Sequence, residues 1–189
     1  VSSKNDSRQN ILSVATRLFH LQGYHATGLN QILKESGAPK GSLYYHFPNG
    51  KEQLAIEAVK RMDALIKSDI VSSLEKYENA IEAIQIYIQK IAADFTNDEK
   101  LECVPIGILV AETAQISESI RETCKAAVEG WEELYCSKLI GDGFEPDLAK
   151  KLGITINSMI EGAVTRSLIN KDSQPLQQLA ECIPVLLKR

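Results

Sequence analysis

Two adjacent tyrosines, a histidine and two lysines fall within twelve positions of an acidic chain, in the stretch SGAPKGSLYYHFPNGKEQL at residues 36–54. Tyrosine and serine hydroxyls donate to phosphate oxygens or touch base edges. Lysines placed where helices begin add charge at ends whose backbone N–H groups already attract phosphate. Gly41 and Ser42 keep the start of the second helix small. Close approach requires this, because the major groove of B-DNA is about 12 Å wide and admits one helix. Lys40, Gly41, Ser42, Tyr44, Tyr45, His46 and Lys51 are therefore candidate nucleic-acid contacts. The same residues also allow a plainer reading, in which the tyrosine pair is core plus rim and the lysines are ordinary solvated side chains.

Positioning such a face takes short helices and a tight turn. Ile11, Ala15, Leu18 and Phe19, with Leu12 beside them, form the apolar stripe of a first helix that Asp6 or Ser7 can cap and Gly23 can end. Thr27 suits an N-cap for a helix of two turns through Ser36, closed by Gly37. Pro39 fits a first helical position, and the next helix runs to Phe47 with Leu43 and Phe47 turned inward. Two short helices joined by a glycine-containing turn are a helix-turn-helix, whose second helix lies in the major groove. Pro48, Asn49 and Gly50 break the chain before a long fourth helix from Lys51 to about Leu74.

The rest of the chain reads as helical too. One stripe carries Ala80, Ile84, Tyr87, Ile88, Ile91 and Phe95; another carries Ile120, Cys124, Ala127, Trp131, Leu134 and Tyr135. Between them, residues 103–115 predict a short buried helix interrupted by Pro105 and Gly107. Pro146 starts a long helix to about Asn170, and a last helix closes the chain. The expectation is an all-α protein of about nine helices, with no period-two run long enough for a sheet and no internal repeat.

Bulk properties narrow the function. The 189 residues are 44% hydrophobic and 24% charged, ordinary for a soluble globular protein. No run of 18 apolar residues predicts a membrane span, and the polar start shows no secretory signal, so a cytoplasmic protein with no membrane partner is expected. The four cysteines, Cys103, Cys124, Cys136 and Cys182, include no CxxC pair and read as buried free thiols. Net charge is −4, yet residues 1–53 hold six lysines and arginines against three acidic residues. A mildly basic head on an acidic body can face a polyanion with one end only. No His/Cys/Asp/Glu group has metal-ligand spacing, and no cofactor is expected. His20 reads as an exposed helical residue and His25 as a turn residue.

The string ATRLFHLQGYHATGLNQILKESGAPKGSLYYHFPNGKEQL closely resembles the N-terminal domain of the TetR family of transcriptional regulators. The resemblance covers residues 8–60. It rests on Phe19, Gly23 and Tyr24 at the first helix end, Thr27, Ile32, Gly37, the run Gly41-Ser42-Leu43-Tyr44, Phe47, and Lys51-Glu52. It implies a helix-turn-helix DNA-binding domain at 5–65, with the motif near 28–47, and an effector-binding and dimerisation domain at 66–189. It implies that Thr27 caps the second helix and touches phosphate. Lys40, Gly41 and Ser42 would open the recognition helix, Tyr44 would bind phosphate, Tyr45 and His46 would face the groove, and Lys51 would clamp the backbone. Gly28 departs from the family by standing where many members carry a hydroxyl, and the connection before Lys51 is one residue longer than is common. That longer connection is similar to a branch whose effectors include flavonoids.

The resemblance further implies a homodimer that binds a pseudo-palindromic double-stranded operator and is released from it by a small apolar or aromatic effector. Tyr87, Ile91, Phe95, Ile106, Leu109, Trp131, Tyr135, Met159 and Ile160 are the candidate effector-pocket residues, with Gln85, Gln89, Thr113 and Gln115 nearby in sequence. Aromatic stripes of this kind serve a core as readily as a pocket. Leu152, Ile156, Met159, Ile160 and Ala163 form an apolar face that suits either a dimer seam or the protomer interior, and Gly162 suggests a close helix approach. An architectural DNA-binding protein without an effector is the alternative. A helical enzyme is disfavoured, because no G-x-S-x-G, Cys/His pair or acid/base carboxylate pair is present.

Overall fold

A computed structural model describes residues 4–95 and 106–188. Nine helices make up their regular structure: α1 (Lys4–Ala26), α2 (Leu29–Ser36), α3 (Lys40–His46), α4 (Gly50–Leu74), α5 (Ala80–Phe95), α6 (Ile106–Thr113), α7 (Glu118–Gly141), α8 (Pro146–Asn170) and α9 (Gln174–Leu186). No strand occurs among the described residues. The described residues fall into two compact units. One lies within Val1–Asp63 and Glu102–Lys125, the other within Ala64–Leu101 and Ala126–Arg189. The sequence suggests a single boundary near residue 65. The first unit also includes α6 and the start of α7, which no local composition signal marks.

In the first unit the predicted stripe of α1 is buried: Ile11, Leu12, Ala15, Leu18 and Phe19 pack inward, joined by Ile32 of α2, Leu43 of α3, Phe47, and Leu54 and Ala55 of α4. A seven-residue helix such as α3 is not stable alone. Leu43 and Phe47 are fully buried and each contribute about 1.5–3 kcal/mol of transfer free energy, which holds α3 on its neighbours.

Three predicted helix ends shift. α1 begins at Lys4, so Asp6 lies in its first turn instead of capping it. Pro39 is the N-cap of α3, in extended conformation, instead of its first helical residue. Thr27 does not cap α2; Gly28 does, without a side-chain hydrogen bond. The Thr27 hydroxyl is engaged elsewhere, donating to the Gly23 carbonyl at 2.7 Å. Gly23 breaks the α1 helix as expected, at φ 82° and ψ 174°.

In the second unit α9 packs against α5 and α8. Ala80, Ala83, Ile84, Tyr87, Ile88 and Ala92 form the buried stripe of α5. Pro146 sits in the first turn of α8, and the Glu145 carboxylate caps that helix by accepting from Leu148 N at 3.0 Å. The close helix approach expected at Gly162 occurs instead at Gly153. A Cβ there would stand 2.6 Å from the Glu132 carbonyl of α7, whereas one on Gly162 meets nothing within 4 Å. Of the apolar face predicted on α8, Ile156 and Ile160 are buried in the protomer.

Candidate nucleic-acid interface

The turn between α2 and α3 is fixed from both sides. Gly37 closes α2 in the left-handed region at φ 65°. Asn10 of α1 donates to the Ser36 carbonyl at 2.6 Å, which ties the turn to the first helix. With Leu43 and Phe47 at 0% exposure, the opposite side of α3 is left outward. Lys40 and Gly41 are exposed, as are Tyr44 at 47% and Tyr45 at 69%, and Ser42 and His46 are half-buried. The α3 candidates are spread around the outward side of the helix. Gly41, Ser42, Tyr45 and His46 line an open groove of about 720 Å³, with Asp6, Asn10 and Gly37 among its other walls, whereas Lys40 and Tyr44, four positions apart, are exposed outside that lining. The Tyr45 and His46 rings meet edge to face at 4.9 Å, and the Ser42 hydroxyl lies 2.8 Å from that of Ser7.

The remaining candidates stand at the neighbouring helix starts. Gly28 is exposed where α2 begins. Thr27 is fully buried, so its side chain holds the turn and does not join the exposed face. Lys51, in the first turn of α4, points its ammonium over the Tyr24 ring at 4.4 Å and donates to the His25 carbonyl at 3.4 Å. Burial lowers its pKa, and the Glu112 carboxylate works against that shift. Burial likewise raises the Tyr24 phenol, with a smaller push from Glu52.

Two cations of the basic head are paired with carboxylates. Arg8, half-buried, pairs with Glu57 and lies 5.3 Å over the Phe47 ring, and Arg17, still exposed, pairs with Glu35. Sequence reasoning missed Ser7 and Asn10, which orient α3 and its turn from α1. It also missed Glu112, which accepts from Tyr24 N at 2.5 Å across 88 positions of chain. A polar residue one or two turns into an amphipathic helix carries no periodic signal, and a partner so distant carries none at all.

The candidate effector residues divide between the units. Ile106 and Leu109 are buried in the first. Tyr87, Trp131, Tyr135 and Ile160 are buried in the second, where Ile91, Phe95 and Met159 are half-buried. The Tyr87 and Tyr135 rings lie 6.3 Å apart, tilted by 45°. Burial pushes the Tyr135 phenol well above its ordinary value, with added effects from Tyr87, Glu161 and Asp69. The Thr113 hydroxyl is taken by its own helix, donating to Leu109 O at 2.6 Å. The cysteines depart from the expectation of burial: Cys124 is buried, Cys136 is half-buried and Cys182 is exposed, while Cys103 lies outside the described residues. No group of three or more His, Cys, Asp and Glu side chains among the described residues could hold a metal ion. No described helix is long and apolar enough to cross a membrane.

A helix-turn-helix with a braced turn and an outward face of hydroxyls and ammonium groups defines a DNA-binding regulator. Comparison with known proteins agrees. Residues 11–58 match the bacterial regulatory proteins of the tetR family, and residues 80–182 match the C-terminal domain of LmrA/YxaF-like transcriptional regulators. The chain belongs to the TetR family of transcriptional regulators, and is not an enzyme. It is 51% identical over 189 residues to the HTH-type transcriptional regulator YxaF of Bacillus subtilis, covering 100% of this chain and 99% of that one. It is 50% identical over 187 residues to LmrA of the same organism, covering 99% and 100%. In fold it is similar to a TetR regulator from Chloroflexus aurantiacus, with a TM-score of 0.84 at 22% identity over 98% of this chain and 96% of that one. Reduced NemR of E. coli gives a TM-score of 0.82 at 22% identity, over 95% and 96%.

Proposed function

We propose that the protein is a repressor that binds a pseudo-palindromic operator as a symmetric homodimer and leaves it when a small, planar, apolar effector of the flavonoid type binds the C-terminal region. The observation that carries the DNA-binding part is the α3 face, where Lys40, Tyr44 and Tyr45 are exposed on a helix anchored by two fully buried residues. Lys40, Gly41 and Ser42 read the groove together with Tyr45 and His46. Tyr44, Lys51 and the exposed start of α2 at Gly28 contact phosphates. Each chain supplies one recognition helix, and α8 and α9 expose Ile154, Leu168, Ile169, Val185 and Leu186, apolar side chains that a second copy would cover. NemR of E. coli, 26% identical over 130 residues, is named a repressor, which favours repression over activation.

The effector reading rests on the aromatic and aliphatic residues of the second unit, Tyr87, Trp131, Tyr135 and Ile160 among them. A ligand dissociates the complex only if it prefers the conformation that cannot engage both half-sites. Selection of bound duplexes from random DNA, followed by a screen of small molecules for release, tests both parts. An inverted repeat with half-sites about 34–36 Å apart, or a near multiple, is expected. Equal affinity for a single half-site would overturn the dimer reading. Failure of every apolar aromatic compound to release DNA would favour the architectural alternative.

A further inference from the structure

The α1–α2 turn is built around a carboxylate from another part of the chain. Glu112 of α6 accepts with Oε2 from Tyr24 N at 2.5 Å and from His25 N at 3.2 Å. Its own carbonyl lies 3.0 Å from His25 Nε2, so side chain and backbone both grip the turn. Gly23 leaves room for this: a Cβ there would stand 2.4 Å from Glu112 Oε1. The turn so shaped offers Lys51 a place to sit, with the Tyr24 face 4.4 Å from Nζ and the His25 carbonyl 3.4 Å away. The other nearby carboxylate, Glu52, accepts from the Ser117 hydroxyl at 2.5 Å. The carboxylate whose charge acts on Lys51 is that of Glu112.

We propose that Glu112 is a brake on DNA affinity: its charge, and the Tyr24–His25 seat that it builds, compete with operator phosphate for the Lys51 ammonium. The proposal rests on the reading of Lys51 as a phosphate contact. It makes Glu112 a positioning residue, acting through Lys51 without touching DNA. A phosphate that recruits Lys51 must draw the ammonium off an aromatic face and a carbonyl and away from a carboxylate. Neutralising that carboxylate lowers this cost.

Binding of the selected operator and of a random duplex, measured at low and high salt, tests this for wild type, Glu112→Gln, Lys51→Ala and the double variant. Glutamine keeps an acceptor for Tyr24 N and removes the charge. Glu112→Gln should bind both duplexes tighter at low salt, by about twofold to fivefold per protomer. The gain should shrink at high salt and vanish in the Lys51→Ala background. Unchanged or weaker binding by a folded Glu112→Gln overturns the proposal, as does a gain that persists without Lys51. If Glu112→Gln does not fold, Tyr24→Leu removes the aromatic half of the seat and carries the same test: tighter binding supports the brake and unchanged binding overturns it. A wild-type protein that binds no duplex would overturn the functional reading itself, which separates that failure from this one.

Discussion

Tyr44 and Lys40 stand four positions apart on the same short helix, yet their removal should read differently. Tyr44→Phe deletes a hydroxyl proposed to meet phosphate, and Lys51→Ala deletes a charge with the same role. Each should weaken binding to all duplexes alike, because phosphate contacts position the protein without carrying sequence. Lys51→Ala should also flatten the log–log salt dependence by about 0.9 per lost contact, doubled in a dimer. Lys40→Ala should in addition relax base preference at one position of the half-site, seen by repeating the selection with the variant. An unchanged salt slope for Lys51→Ala would remove that residue from the interface. The cysteines give a second test at this scale. Burial pushes the Cys124 thiol up to about 11, while Cys182 is exposed. A thiol-directed alkylating reagent at neutral pH should modify Cys182 and spare Cys124 until the protein unfolds, as peptide mapping would show. Because the folded thiol is the weaker acid, its contribution to stability is complete below the ordinary value of 9 and is lost as pH rises toward about 11.

At the scale of elements, the two glycines of α8 should respond in opposite ways. Gly153→Ala puts a methyl 2.6 Å from a backbone carbonyl of α7, so one helix must shift, at a cost of about 1–3 kcal/mol read from denaturant unfolding. Gly162→Ala meets open space in the protomer and gains helix propensity, up to about 1 kcal/mol. If a second copy packs there, the same change should weaken the dimer in sedimentation while strengthening the protomer. The helices themselves were largely legible in the sequence. Apolar spacing marked α1, α5 and α7, Pro146 marked the start of α8, Gly23 marked the break in α1 and Gly37 the end of α2, because each signal lies within a few residues of its effect. The cap of α2 was not legible. Thr27 has the right chemistry for an N-cap, but Gly23 bends the chain so that the hydroxyl donates backward to a carbonyl. The α3 face could be read from its own residues, since Leu43 and Phe47 at i and i+4 dictate which side turns inward. The Glu112 contacts could not, because they depend on tertiary placement alone.

At the scale of the molecule, the charge asymmetry is weaker than the sequence count suggests. Arg8 and Arg17 are partly neutralised by ion pairs with Glu57 and Glu35, while Lys40 is exposed on α3. Attraction to DNA therefore rests on few charges, and binding to random sequence should be weak, with a shallow salt dependence. Trp131 is the single tryptophan and is 2% exposed, so its fluorescence reports the second unit without ambiguity of source. A flavonoid panel should quench it at the concentrations that release DNA. Release by a compound that leaves the emission unchanged, and that also acts on Trp131→Phe, would place the effector elsewhere.

The makeup of the first unit bears on how such regulators can be recombined. A chimera made by cutting after Asp63 and grafting residues 1–63 onto a foreign body would carry the whole helix-turn-helix, yet leave behind α6 and the start of α7. Its Gly23 turn would lack the Glu112 acceptor for two backbone N–H groups, and Glu52 would lack Ser117. A swap of DNA specificity that transplants both segments, or that exchanges only the outward residues of α3, should therefore keep this turn braced where the bare prefix does not.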